Sequence, residues 1–471
     1  MITFSVGLAL LILGYVFYGA LVDRIFGSDP TRETPCYSKG DGIDFIPMPS
    51  WKVFLIQFLN IAGTGPIFGA IMGIQFGPAA YLWIVLGCIF IGAMHDYVSG
   101  MISLRKGGVS LPEIIGDELG NTTRVIVRIL CAILLIMAGT VFIITPADLL
   151  SSMTSGWGTW GSVFFWSIVI FMYYILATLL PIDALIGRIY PLFGAALLFM
   201  AVGIGINIYV QPGWMPELTD GLTGHHPKDL AVFPLLFITI ACGALSGFHA
   251  TQSPMMARCM KNERQGRHVF YGAMIVEGIV ALIWAAAAIK YSGSYKGLDE
   301  LGTPAIVVSM ISNTWLGKTG AVLTVLGVVA APITTGDTAF RSARLMVADF
   351  MHFKQDKLWQ RLALALPLFA VAVVIMQVDF SVLWRYFGWS NQTLGCLTLW
   401  AVTVYLARQA KFYWISLLPA MFMTLVCTSY IMYAPEGFQL PWMASVVVGV
   451  VLMLVSTAFF FRFIVRRNKD K

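Results

Sequence analysis

Four groups of polar residues stand out in a chain that is 58% hydrophobic and only 11% charged. Asp96 in "GAMHDYVSG" and Glu277 in "YGAMIVEGIV" each lie inside a long apolar run. A carboxylate at membrane depth is expensive and marks proton or ion chemistry, with a buried structural hydrogen bond as the plainer reading. His95 lies about 100° around a helix from Asp96, so the two need not pair. His249, in "GALSGFHATQSP", is a third proton candidate, because imidazole titrates near neutral pH. In "APITTGDTAFRSAR", Thr334, Thr335, Asp337 and Thr338 gather three hydroxyls and a carboxylate within about 6 Å of helix rise, at ~1.5 Å per residue. Such hard oxygens suit a sodium ion. The alternative is threonines bonding back to their own helix and an Asp337–Arg341 pair at i,i+4.

The backbone itself is the fourth group. "NIAGTGPIFGAIMGIQFGP", residues 60–78, holds five glycines and two prolines in an apolar setting. Gly65, Gly69, Gly73 and Gly77 recur every four residues and read as one close-packing helical stripe. Packing does not need Gly63, Thr64 and Pro66 together. Pro66 has no N–H to give, so carbonyls near Ala62 and Gly63 are freed to meet a cation, while a half-helix N-terminus can face an anion. "GALSGFHATQ" is the matching stretch, with Gly243 and Gly247 bracketing Ser246, and His249 and Gln252 beyond. Ser246 with His249 also invites a hydrolase reading. No GxSxG nucleophile elbow or HExxH is present, so no catalytic residue is assigned. No CxxC pair appears among the seven cysteines, so neither a metal centre nor a disulfide framework is expected. No cofactor is expected beyond a coupling ion, Na⁺ or H⁺, and sodium is favoured because the hydroxyl cluster at Thr334–Thr338 pairs naturally with the freed carbonyls at Ala62. The only metal site would be a sodium at Thr334, Thr335 and Thr338.

Apolar runs of membrane-crossing length must position these groups. Thirteen spans are read near 3–22, 52–74, 79–104, 124–150, 160–180, 189–210, 231–257, 268–291, 319–340, 360–378, 380–407, 412–433 and 441–463. The first has no basic n-region and is read as a retained helix. Threading them alternately puts 25 of the 30 Lys and Arg residues in one set of loops. Basic loops stay in the cytoplasm. The N-terminus is therefore expected outside, in the periplasm, and the 464–471 tail in the cytoplasm. The +6 net charge is thus a topology signal and gives no reason to expect a nucleic-acid partner. The two interrupted spans are five spans apart and begin on opposite sides. That spacing predicts an all-α membrane protein with a 5+5 inverted-repeat core. The repeats would be 52–210 and 231–407, with one extra helix at 3–22 and two more at 412–463, all in one transmembrane domain. Asn391 and Gln392 in "FGWSNQTLG" read as interhelical hydrogen bonding.

"IAGTGPIFG", "GAMHDYVSGMISLRKGGVSLPEIIG", "SGFH", "YGAMIVEG", "TTGDTAFRSAR" and "FGWSNQ" resemble, in order, the motif blocks of the carbon-starvation (CstA) transporter family. The resemblance spans roughly residues 50 to 400. It implies a bacterial inner-membrane importer of peptides or pyruvate, driven by a proton or sodium gradient. It also implies membership of the amino-acid/polyamine/organocation superfamily, with a leucine-transporter-like core. In such a core the substrate gap maps to Ala62, Gly63, Thr64 and Gly65 and to Ser246, Gly247, Phe248 and His249, with Gln252 beside it. A sodium site would use backbone at Ala62 with Thr334, Thr335 or Thr338, and Asp337 close by. The expected partners are a small-molecule substrate and the lipid bilayer. A channel would need a continuous polar stripe, and a nutrient sensor remains a further alternative.

The basic asymmetry yields a direct expectation. A thiol reagent applied from outside should label a cysteine engineered at Gly221 and miss one at Asn262; the reverse pattern overturns the topology.

Overall fold

A computed structural model describes residues 1–42, 44–179, 182–351, 353–355, 357–378 and 380–466. Residue 180 of the fifth predicted span and residues 467–471 of the tail lie outside the described residues. Every regular element described is a helix. In chain order the principal ones are α1 (Ile2–Phe26), α2 (Ser50–Ile61), α3 (Thr64–Phe76), α4 (Ala79–Arg105), α5 (Leu111–Leu119), α6 (Asn121–Met153), α7 (Val163–Leu179), α8 (Ile182–Val210) and α9 (Val232–Thr239). Then come α10 (Gly247–Ala257), α11 (Glu263–Ser292), α12 (Pro304–Leu323), α13 (Ala330–Met351), α14 (Leu358–Ile375), α15 (Phe380–Arg408), α16 (Trp414–Tyr433) and α17 (Trp442–Val465).

All thirteen stretches read as spans contain helix. Among the described residues, nine helices are long and apolar enough to cross a membrane, or ten if the bent pair α2 and α3 is one span. The remaining stretches fall short for a physical reason. α9 and α10 are separated by a break, and α13 and α15 carry Asp337, Arg341, Arg344, Asn391 and Gln392. Of these polar groups, Asp337 is the one the sequence singles out for chemistry, and Asn391 and Gln392 are those it reads as interhelical hydrogen bonding. α5 and α12 were not anticipated. α5 starts after Ser110 and stops at Gly120, whose φ of +100° favours glycine.

Burial sorts the helices into centre and rim. In their most apolar windows, 89% of α11 and 83% of α4 are buried, against 28% of α1 and 17% of α17. α4 and α11 therefore build the interior, while α1 and α17 turn apolar side chains outward, as a lipid-facing helix must.

The glycine stripe packs as expected, with one correction. A Cβ on Gly65 would lie 2.5 Å from Cys242 Sγ, one on Gly69 would lie 2.9 Å from the Thr239 carbonyl oxygen, and one on Gly73 would overlap Ile240. α3 thus rests directly on the end of α9 and the chain beyond it. Gly77 is not part of this stripe: at φ +89° it forms the turn that ends α3.

Gly69→Ala should destabilise the protein by about 1–3 kcal/mol, because backbone oxygen cannot yield to an added methyl as a side chain can. Gly156→Ala, with nothing within 4 Å of the added carbon, is the control. Equal melting temperatures for the two variants would refute the close packing.

Candidate functional site

The first break lies where the sequence places it. Ala62 (φ −85°, ψ 46°) leaves helical geometry, Gly63 (ψ −145°) turns the chain, and α3 begins at Thr64. The two halves meet at 47°. Pro66 falls in the first turn of α3, where an N–H has no helical partner to lose. Thr335 Oγ1 shares its proton between the Ala331 carbonyl of its own helix at 2.9 Å and the Leu59 carbonyl at 3.1 Å, and a Cβ on Gly63 would stand 3.1 Å from Thr335 Oγ1. Thr335 of α13 is therefore seated against the break. Thr334 and Thr338 donate back to the carbonyls of Ala331 (2.7 Å) and Thr335 (2.9 Å). Asp337 is buried two residues on from Thr335, about 200° around the helix, and so turns to another face.

The second break runs from Ile240 to Ser246, between α9 and α10. Here α15 supplies what the backbone lacks. Asn391 Oδ1 accepts from Ser246 Oγ at 3.0 Å and from the Phe248 N–H at 2.7 Å, capping the N-terminus of α10 from another helix. Gln392 Nε2 donates to the Phe237 carbonyl at 3.1 Å, and Trp83 Nε1 to the Ile240 carbonyl at 2.9 Å. A Cβ on Gly92 would overlap the Ala244 carbonyl, so α4 also presses on this segment. The glycine stripe of α3 meets the same segment at Cys242 and Ile240, so the two breaks are neighbours. Ala62, Gly63, Thr64, Gly65, Ser246, Gly247, Phe248, His249 and Gln252 are all buried. Gln252 Oε1 accepts from Ser342 Oγ of α13 at 3.3 Å.

His249 sits half a turn into α10 and joins the three proton candidates into one chain. Its Nδ1 lies 2.9 Å from Asp96 Oδ2 on α4, and its Nε2 lies 3.5 Å from Glu277 Oε2 on α11. His95 Nδ1 is 2.8 Å from Asp96 Oδ1. The 100° between adjacent residues does not keep these two apart, because the angle is measured at the helix axis and both side chains reach beyond it. All four side chains are 0% exposed. Two carboxylates and two imidazoles out of water cannot all carry their charges cheaply, so the group must share protons among its members.

One feature was missed in the sequence. Gln57 and Asn60 on α2 are fully buried, and neither amide has a hydrogen-bond partner among the described residues at either its oxygen or its nitrogen. Thr64 Oγ1 is unpartnered as well. The available signal was an amide immediately before a predicted break, with a second amide three residues earlier on the same helix face.

Paired broken helices inside an apolar bundle are a feature of many secondary transporters. Solved structures share this fold. MhsT in complex with L-phenylalanine matches with a TM-score of 0.57 over 86% of this chain and 97% of that one, at 12% identity. A substrate-bound Na⁺-coupled sialic acid symporter matches with a TM-score of 0.54 over 96% of each chain, at 15% identity. Both neighbours are leucine-transporter-fold proteins. The family model for carbon starvation protein CstA matches residues 1–220, 161–313 and 300–430, and the chain belongs to that family. An uncharacterised membrane protein of Haemophilus influenzae is 43% identical over 64% of this chain and 94% of its own length. The peptide transporter CstA of Escherichia coli is 26% identical over 88% of this chain and 78% of its own. The pyruvate/proton symporter BtsT of the same organism is 29% identical over 61% of this chain and 49% of its own. The two Escherichia coli relatives and the structural neighbours are transporters, not enzymes, and the chain is a multi-pass membrane protein.

Asn391→Ala should strip the cap from α10 and leave Ser246 Oγ and the Phe248 N–H unpaired, at about 1–3 kcal/mol for each buried group. A lower melting temperature in detergent, with Asn391→Asp closer to the parent than the alanine variant, is the expected result. An unchanged alanine variant would contradict the capping role.

Proposed function

We propose that this chain is an ion-coupled secondary transporter that imports a small nutrient, a peptide or a pyruvate-like carboxylate, by alternating access across a bacterial inner membrane. Thirteen crossings would form a 5+5 inverted-repeat core over 52–210 and 231–407, with the N-terminus periplasmic and the C-terminus cytoplasmic. The observation that carries this reading is the contact between the two breaks, with unwound backbone and the capped N-terminus of α10 buried together. Irregular backbone at membrane depth is tolerated only where protein or a wet cavity lines it. The substrate would lie at Ala62–Gly65 and Ser246–His249. Rocking of one helix group against the other would open that level to each side in turn.

The coupling ion of this reading is the proton. His249 stands next to the α10 cap and links Asp96 to Glu277, which belong to two other helices. Movement of α10 relative to α4 and α11 therefore alters the number of protons the group can hold. The relative BtsT is named a pyruvate/proton symporter, which supports the same choice. A second reading, sodium, draws on Thr335 at the Leu59 carbonyl and Gly63. In it, Ala62 backbone with Thr334, Thr335 and Thr338 would hold Na⁺.

Purified protein in proteoliposomes, given labelled pyruvate or dipeptides, separates the two. An acid-outside gradient in sodium-free buffer should drive accumulation that a protonophore collapses. His249→Gln and Asp96→Asn should abolish accumulation and spare exchange at equal pH. Uptake that follows a sodium gradient, ignores the protonophore and loses roughly 5- to 150-fold in Na⁺ affinity in Thr335→Ala would replace the proton by sodium.

A further inference from the structure

We propose that a side cavity next to the second break binds one phosphatidylethanolamine of the bilayer, with an acyl chain inside the cavity and the ammonium head on Asp229. The cavity has a volume of about 870 Å³, within the roughly 300–1,000 Å³ of small-molecule sites. One wall is α4, through Leu82, Trp83, Leu86, Gly87, Phe90 and Ile91. The others are α9, Phe422 of α16 and Trp442 of α17. Leu86, Phe90 and Trp442 are exposed, and an exposed apolar side chain on a membrane-length helix faces lipid tails. The cavity is thus entered from the bilayer, and its lining selects a hydrocarbon chain. Its location gives an occupant a consequence. Trp83 Nε1 donates to the Ile240 carbonyl of the second break, and its ring meets Phe237 at 4.8 Å and Phe422 at 5.8 Å. A Cβ on Gly87 would lie 2.9 Å from the Ala244 side chain, also in that break. A chain in the cavity therefore braces α9 and the unwound stretch behind it, whatever the protein transports.

The polar end of the cavity selects the head group. Thr223, His226 and Asp229 line it, on the loop that leads into α9. The turn is well tied: the Asp229 N–H donates to the His226 carbonyl at 2.9 Å, and the Lys228 N–H to His226 Nδ1 at 3.1 Å. Lys228 Nζ is taken by Asp299 at 2.8 Å. Burial holds the His226 imidazole below its usual pKa, with the Lys228 charge adding to the effect, so His226 is neutral at pH 7. Asp229 is exposed and makes no ion pair among the described residues. Its carboxylate is therefore an open charge at the mouth of an apolar cleft. A primary ammonium can donate a charge-assisted hydrogen bond to it. The trimethylammonium of a choline head has no N–H to give, and a fatty acid would set one carboxylate against another.

The test is a lipid titration of the full chain, delipidated in a maltoside detergent, with melting temperature as the readout. The three probes are palmitoyl-lysophosphatidylethanolamine, palmitoyl-lysophosphatidylcholine and palmitate. The ethanolamine lipid should raise the melting temperature with a half-saturating concentration about 3- to 5-fold below that of the choline lipid, the worth of one exposed ion pair. Asp229→Asn should make the two lipids equal. Leu86→Trp, which fills the cavity from its lipid-facing side, should weaken both by about tenfold, as a chain with two fewer buried methylenes would. Phe90→Trp replaces it should that variant not fold. Alkylation of Cys242 in the second break, followed by mass spectrometry, should slow when the ethanolamine lipid is saturating, and an unchanged rate removes the brace. Choline lipid or palmitate binding as tightly as the ethanolamine lipid in the parent, or a preference that survives Asp229→Asn, overturns the head-group assignment and the proposal with it. Affinities untouched by the tryptophan variants put the chain elsewhere and overturn the proposal too, as does a melting temperature that no lipid raises. All these readouts report binding, so the transport reading stands or falls separately.

Discussion

A backbone group released from a helix inside hydrocarbon has no water to bond, and each one left unpaired costs several kcal/mol. Everything distinctive about this bundle follows from meeting that cost twice. At the second break, donors come from Trp83 on α4 and Gln392 on α15, and the acceptor comes from Asn391 on α15. At the first, Thr335 of α13 bonds the Leu59 carbonyl. None of these partners lies on the helix being repaired. The breaks therefore act as rivets, obliging α4, α13 and α15 to gather round α2, α3, α9 and α10. The glycines of α3 follow from the same demand, since only a bare helix face comes close enough to lie on the unwound chain at Cys242 and Ile240.

The buried histidines and carboxylates obey a parallel rule for charge. A lone ion at such depth is intolerable, while a chain in which each member faces another can persist. His249 bonds Asp96 closely but stands 3.5 Å from Glu277, whose oxygens make no hydrogen bond among the described residues. The group is thus tight at one end and loose at the other. A ligand or a shift of α10 that changes the loose contact must also change proton affinity, and by linkage a proton must then change the preference for conformation.

Local pattern made much of this legible. The all-helical apolar build, the two interruptions and the isolated polar residues could all be read from composition and spacing. The failures share one cause: they depend on a partner far away in the chain. Thr335 and Leu59 are 276 residues apart, and Ser246 and Asn391 are 145. No periodicity reveals such pairs. His95 was set apart from Asp96 by an angle measured at the helix axis, which says little about where two flexible side chains end. Gln57 went unnoticed because an amide in a span usually finds a neighbouring helix, as Gln392 does. α5 and α12 escaped because they are not long uninterrupted apolar runs.

The end of the bundle that carries the basic loops is held differently from the interior. Glu263, 1% exposed, takes Arg105 Nε and Nη2 at 3.0 and 2.9 Å, with Arg32 at 3.5 Å. Around it, Lys106 bridges to Asp117 and Glu118, Arg408 to Glu118, and Arg128 to Glu113, mostly with partly exposed partners. Exposed pairs of this kind are worth about 0–1 kcal/mol each. The outer pairs can part at small cost because water re-solvates their charges, while the deeper Arg105–Glu263 pair holds its place. The interior chain of His249, Asp96 and Glu277 has no such refuge. The same attraction between opposite charges is thus weak where water reaches it and strong where water does not. In the transport reading proposed above, the weakly held end is the one free to move and the buried group is the one that registers the movement.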